Sequence, residues 1–162
     1  MRAVVQRVSK ASVTIDNHVV SSIDKGLLVF LGVGHEDTQE DIDWLTKKIA
    51  HMRIFPDDNG NMNKSIIDID ARAIVVSQFT LFASTKKGNR PSFLNSAKPE
   101  VANKLYEDFL KAFEAKLGSK IGSGVFGADM KVDLLNDGPV TIIIDTKNKD
   151  CLLYTSPSPR DA

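Results

Sequence analysis

The amino-acid sequence predicts an α/β fold, a mixed sheet covered by two helices in the order ββ, βα, βα, ββ. Three observations predict it: a Val-rich, alternating N-terminal quarter, two strand-length apolar runs each followed by a segment of helical periodicity, and two more apolar runs near the end. Arg2 to Val8 alternates, and Ser12 to Ile15 with His18 to Ile23 reads as a hairpin about Asp16-Asn17. Gly26 to Val33 (GLLVFLGV) is apolar without alternation, the pattern of a strand buried on both faces, so it belongs at the centre. Asp37 with Glu40 three residues later starts a helix, and Ile42, Leu45, Ile49 and Met52 form its apolar face. Phe55 to Asn63 (FPDDNGNMN) is a turn cluster, and Ala73 to Phe82 (AIVVSQFTLF) is a strand whose apolar half leads into a polar Ser77-Gln78 step. Pro99 opens the second helix, where a missing N–H costs little; Val101, Leu105, Phe109, Ala112, Phe113 and Leu117 share a face, and Gly118 ends it. After glycine-rich Gly118 to Gly127, Met130 to Leu135 and Val140 to Asp145 read as two strands around a turn, Asn136-Asp137-Gly138-Pro139.

With 162 residues, 42% hydrophobic and 26% charged, the chain fits one globular domain, read as residues 1–146. Residues 147–162 read as a disordered or artefactual tail, because Cys151 to Ala162 (CLLYTSPSPRDA) shifts abruptly to Ser and Pro; the alternative is a docking tail through Leu152, Leu153 and Tyr154. Twenty-one basic residues balance 21 acidic ones, so an RNA partner would have to be held by a local patch. A single cysteine excludes an intramolecular disulfide and leaves a thiolate zinc site short of ligands, which points to a reducing environment. Charges at Arg2, Arg7 and Lys10 do not suit a secretory signal, and the longest apolar run falls far short of the ~20 residues of a membrane helix. A cytoplasmic chain without membrane contact is the expectation.

His18, His35 and His51 are scattered, so no metal site is expected, and no phosphate-binding GxxxxGK[ST] loop occurs. Gly32-Val33-Gly34 follows a strand but lacks the third glycine of a dinucleotide fingerprint, and no cofactor is expected. Two segments interrupt apolar strands with polar and backbone-special residues: Ser77-Gln78-Phe79-Thr80-Leu81 and Asn136 to Thr141 (NDGPVT). Singly, the first reads as a half-exposed strand and the second as an ordinary turn.

Together, SQFTL and NDGPVT resemble the two signature motifs of the D-aminoacyl-tRNA deacylase family. QRVSKASVTI, GLLVFLGV, RIFPDDNGNMN, GNRPSF and GVFGADM resemble further family blocks, in family order from Met1 to Asp145. The resemblance implies an α/β/β-layered D-aminoacyl-tRNA deacylase-like fold and a homodimer that hydrolyses the ester between a D-amino acid and the 3′-terminal adenosine of tRNA. It implies that Ser77, Gln78, Phe79 and Thr80 line the catalytic pocket, while Gly138 and Pro139, joined by a cis bond, reach into the partner's site and hold the substrate's amino group. An L side chain would then collide with backbone, and glycyl-tRNA would be accepted. Arg7 is expected to brace these carbonyls, or else to be a surface cation of its strand. Phe126 and Met130 are expected to pack the adenine, with plain core packing the alternative, and Lys86, Lys87 and Arg90 to meet acceptor-stem phosphates, or else to form an ordinary solvated loop. Thr80 invites a nucleophile reading, yet neither motif carries a histidine to serve as its base, so a pocket-lining role is preferred. Two other classes compete: an RNA-binding dimer without turnover, and a hydrolase of small esters that uses Thr80 directly. A paralogue that removes certain L-amino acids is thought to alter both motifs, and SQFTL with NDGPVT favours the D-specific branch.

Overall fold

The computed structural model describes residues 1–149; of the tail expected over 147–162, Lys147 reaches back to Asp41 (Nζ to Oδ2 3.2 Å), and residues 150–162 lie outside the described ones. The elements are β1 (Arg2–Ile15), β2 (His18–Ile23), β3 (Gly26–Gly32), α1 (Gln39–His51), β4 (Phe55–Pro56), β5 (Met62–Lys64), β6 (Arg72–Ser77), α2 (Pro99–Leu117), β7 (Gly122–Ser123) and β8 (Lys131–Asp145), with a 3-10 turn at Phe79–Phe82. The main sheet runs β2-β1-β3-β6-β7, with β8 pairing β1 as well, so β3 is central, and the apolar run predicts this. Asp16 and Asn17 take positive φ, as a two-residue turn matched to the twist of its strands requires.

Alternation along β3 and β6 divides the core. Leu27, Val29, Leu31, Ala73 and Val75 meet Ile42, Leu45 and Ile49 of α1 and Phe109 and Phe113 of α2. Leu28, Ile74 and Val76 face the other way, onto Val8, Ala11 and Val13 of β1, with Met130 and Val132 packed alongside. The sheet curls over its own second face, giving helix, sheet and strand layers. Ser21 Oγ donates to Ser123 O (2.5 Å) and accepts from Ser123 N–H (3.0 Å), drawing β2 to β7 and nearly closing the sheet.

The structure corrects the expected elements at several points. Arg2–Val8 and Ser12–Ile15 are one strand, β1; its buried residues switch from Ala3 and Val5 on the helix side to Ala11 and Val13 on the other. The switch falls where Ser9 has no partner between the pairs Val8–Asn136 and Lys10–Leu135, because an unpaired residue reverses the alternation. Residues 136–139 are not a turn between two strands: β8 runs through them, and both of its halves pair antiparallel with β1. The strand expected over Ala73–Phe82 ends at Ser77, where Gln78 begins a turn of 3-10 helix. The buried stripe of α2 is Ala102, Tyr106, Phe109 and Phe113, while Val101 is 48% exposed; the Tyr106 hydroxyl finds an acceptor inside, Val75 O at 2.8 Å. The turn cluster at 55–63 also holds a small hairpin, β4 with β5.

Helix α1 is capped one residue later than the sequence pattern suggests, by Thr38 with Asp41 in the box, because Asp37 is engaged elsewhere. Asp37 accepts from the Met1 ammonium (2.7 Å) and from Gly34 N–H (2.6 Å). Thr146 Oγ, near the end of the described chain, accepts from the same ammonium (2.9 Å) and donates to Asp41 (2.6 Å). The start of β1, the start of α1 and the end of β8 are thus tied in one buried polar knot. Burial would push the Asp41 carboxyl up, but hydrogen bonds from Thr146, Thr38 N–H and Lys147, with the Lys147 charge, bring it down to about 2 from an ordinary 3.8. Its folded value lies below its unfolded one, so its contribution is complete above about pH 4 and is lost as pH falls through about 2. Asp41 should therefore supply about 2 kcal/mol of the stability lost between pH 5 and pH 2. Urea unfolding at the two pH values checks this: Asp41→Asn should show a shallower acid loss than the parent, and parallel losses would contradict it.

Candidate active site

The SQFTL residues sit where a buried strand stops. Ser77 is the last residue of β6, paired with Leu31, and Gln78 N–H donates to Leu31 O (2.7 Å). The chain then winds once, with Leu81 N–H on Gln78 O (3.2 Å) and Ala83 N–H on Thr80 O (3.0 Å). The first N–H groups of a helical turn have no acceptor within it, and those of Phe79 and Thr80 have none among the described residues. Gln78 Nε2 donates to Thr80 Oγ (2.5 Å), and Thr80 has no histidine partner. Arg2, which the sequence reading did not single out, pins this turn: its guanidinium donates to Leu81 O (2.8 Å), lies 4.4 Å from the Phe82 ring centre and pairs with Asp145 (3.1 Å).

Ser77, Gln78 and Phe79 open onto a largely apolar cavity of about 730 Å³, and Phe126 and Met130 line the same cavity. Thr80 does not line it. Phe93 and Leu94, also unforeseen as site residues, complete its rim; Phe93 meets Phe79 edge to face at 5.0 Å. His35 Nε2 lies 2.5 Å from Leu94 O. Phe93 belongs to the GNRPSF block, a signal that could have found it, whereas His35 carries no local mark. Tyr106 packs on Phe126 at 6.2 Å, and burial raises its phenol to about 12, so it stays neutral. A second, polar cavity of about 690 Å³ between β2 and β7 takes none of the motif residues.

Arg7, Gly138 and Pro139 form a separate cluster and do not line the apolar cavity. Between the pairs Gln6–Thr141 and Val8–Asn136, the single residue Arg7 faces four residues, Asp137 to Val140, which bulge from β8. Arg7 Nε donates to Asp137 O (2.9 Å) and its Nη1 to Ile54 O (2.6 Å), so the half-buried guanidinium bridges the bulge and the chain before β4. The Gly138-Pro139 bond is cis, Gly138 takes φ +139°, and both residues are exposed. Lys86, Lys87 and Arg90 are exposed on a loop closed by the pair Ser84–Ser92, away from the cavity lining. Among the described residues no group of three His, Cys, Asp or Glu could hold a metal ion, and no helix is long and apolar enough to cross a membrane.

The family described as D-Tyr-tRNA(Tyr) deacylase matches residues 4–145. The chain belongs to the D-Tyr-tRNA(Tyr) deacylase family. A D-aminoacyl-tRNA deacylase of Bacteroides fragilis (strain YCH46) is 60% identical over 150 residues, 93% of this chain and 100% of that protein. One from Christiangramia forsetii is 61% identical over 149 residues, 92% of this chain and 99% of that one. Membership makes the chain a deacylase, a hydrolase of ester bonds. Among solved structures, a c-Myc DNA Unwinding Element Binding Protein superposes with a TM-score of 0.85 at 41% identity, covering 90% of this chain and 98% of that one. A probable eukaryotic D-amino acid tRNA deacylase superposes with a TM-score of 0.78, covering 89% and 98%; at 18% identity it bears on the fold alone.

Within this deacylase, Arg2 is the tie between the SQFTL turn and the sheet. Arg2→Ala removes a charged hydrogen bond and a ring contact, which should cost about 1–2 kcal/mol and lower Tm by about 2–8 °C. Calorimetry alongside a deacylation assay checks it; unchanged Tm and activity would show that the turn holds without Arg2.

Proposed function

We propose that this chain hydrolyses D-aminoacyl-tRNA at the ester on the 3′-terminal adenosine, releasing the D-amino acid and free tRNA, and so proofreads chirality in the cytoplasm. The observation that carries the proposal is the pair of acceptor-free N–H groups, Phe79 and Thr80, on a turn at the edge of an apolar cavity. As water adds to the ester carbon, the carbonyl oxygen becomes an oxyanion, and fixed donors at that position supply several kcal/mol. The C–O bond to the ribose then breaks, and the 3′-oxygen leaves with a proton. The ribose 2′-hydroxyl lies beside the scissile ester and assists this proton transfer. Thr80 lacks a base, its hydroxyl accepting from Gln78, which speaks against a nucleophilic role and leaves its main-chain N–H as its contribution. Adenine stacks on Phe126 and Met130, and Lys86, Lys87 and Arg90 take acceptor-stem phosphates. No cofactor enters this scheme.

Gly138 and Pro139 hold the substrate's α-ammonium group, with Arg7 bracing them through Asp137 O. A D side chain then projects away from the backbone, an L side chain meets it, and glycine, having none, is accepted. Because this cluster does not line its own chain's cavity, the reading requires a homodimer in which Gly138 and Pro139 complete the partner's site. Exposed apolar side chains along β8, Leu135 at 51% and Ile143 at 66%, suit cover by a second copy.

Thr80→Ala should keep measurable deacylation, while a 2′-deoxyadenosine terminus should lose several powers of ten, each worth about 1.4 kcal/mol of barrier. Loss to the uncatalysed rate in folded Thr80→Ala would restore Thr80 as nucleophile. Gly138→Ala places a Cβ 2.8 Å from Val140 Cγ2 at a backbone angle that L residues rarely take, so matched D- and L-tyrosyl-tRNA should be told apart at least tenfold less well. Mixed dimers of Gly138→Ala with a chain damaged in the Ser77–Thr80 pocket should regain one complete site. Confirmed heterodimers without recovered activity would mean that each subunit works alone.

A further inference from the structure

The bulge on β8 has a neck, and the Asn136 side chain spans it. Asn136 Oδ1 accepts Val140 N–H (2.8 Å), and Nδ2 donates to Val140 O (3.2 Å) and Thr141 Oγ (3.2 Å), with Gln6 Oε1 of the facing strand at 3.4 Å. One side-chain amide thus pairs with both main-chain groups of Val140, as a residue of a neighbouring strand would. Val140 needs that substitute, because it has no partner on β1. Asp137, at the other end of the bulge, is held by Arg7 through its carbonyl. Arg7 only donates and cannot satisfy the Val140 N–H; a carboxylate only accepts and would set its oxygens against Val140 O. A donor and an acceptor side by side on a short stem belong to asparagine.

We propose that Asn136 is a positioning residue for stereochemical selection: by closing the neck of the bulge it holds Gly138 and Pro139 in the one orientation that accepts the substrate's amino group. The inference rests on the reading of Gly138 and Pro139 given above. Selection is sensitive to such positioning, since a small displacement of the amino-group anchor changes where the side chain of either enantiomer falls. Stability alone would not carry that signature, because a destabilised enzyme loses D and L hydrolysis together.

Asn136→Leu keeps the shape of the side chain without its polarity, and Asn136→Asp keeps the acceptor for Val140 N–H and loses the donor. Amide exchange at Val140 in the full-length protein, measured by NMR, should quicken at least tenfold in Asn136→Leu and less in Asn136→Asp. The ratio of kcat/KM for D- over L-tyrosyl-tRNA should fall in the same order, at least tenfold in Asn136→Leu. If Asn136→Leu does not fold, Asn136→Asp carries the test with the same two readouts. Slow exchange and an intact ratio in the tested variant overturn the inference. Gly138→Ala separates the two readings: if it lowers the ratio and quickened exchange in the Asn136 variant does not, Asn136 is not a positioning residue. If neither lowers it, the role given to Gly138 and Pro139 has failed.

Discussion

The fold depends on the pairing of β1 with β8 more than on any other contact. β1 pairs with β2 and β3 along successive halves and with β8 along nearly its whole length, so one strand sets the relative position of every layer. The pairing is out of step at two places, Ser9 on β1 and Asp137 to Val140 on β8. The first mismatch turns β1 from the helix-facing core to the opposite one. The second pushes four residues out of the ladder beside Arg7. A perfect ladder would leave neither the curl of the sheet nor the presented loop.

The two candidate clusters are made by different means. The SQFTL turn exists because β6 stops at Ser77 and the chain tightens into a 3-10 turn, leaving donors that a longer strand would have paired. The NDGPVT bulge exists because β8 does not stop. One cluster is apolar, concave and lined by Phe93 and Phe126; the other is exposed and built from backbone groups braced by side-chain hydrogen bonds.

Much of this could be read from the sequence, and where it could not the reasons are physical. The central burial of β3, the Asp16-Asn17 turn and the limits of α2 follow from residues within a few positions of each other. Asn, Asp, Gly and Pro suit a bulge as well as a turn; what decides is whether the two flanking segments pair with each other or both with β1, more than a hundred residues away. The cap of α1 shifts because Asp37 is claimed by the ammonium of Met1, and Tyr106 takes an inward place because Val75 offers its carbonyl. The motif residues stood out through family resemblance, while Arg2, His35 and Leu94 act through contacts that local pattern does not encode.

The bulge also bears on solubility. β8 pairs only with β1 among the described residues, so its other edge offers a ladder of fifteen residues to any extended chain, the arrangement from which edge-to-edge aggregation grows. Asp137 to Val140 interrupt that ladder near its middle, and Pro139 has no N–H to give. What remains is a pair of short stretches on either side, too brief to template a long intermolecular sheet. The same four residues that lift Gly138 and Pro139 clear of the strand thereby guard its open edge against indiscriminate strand addition.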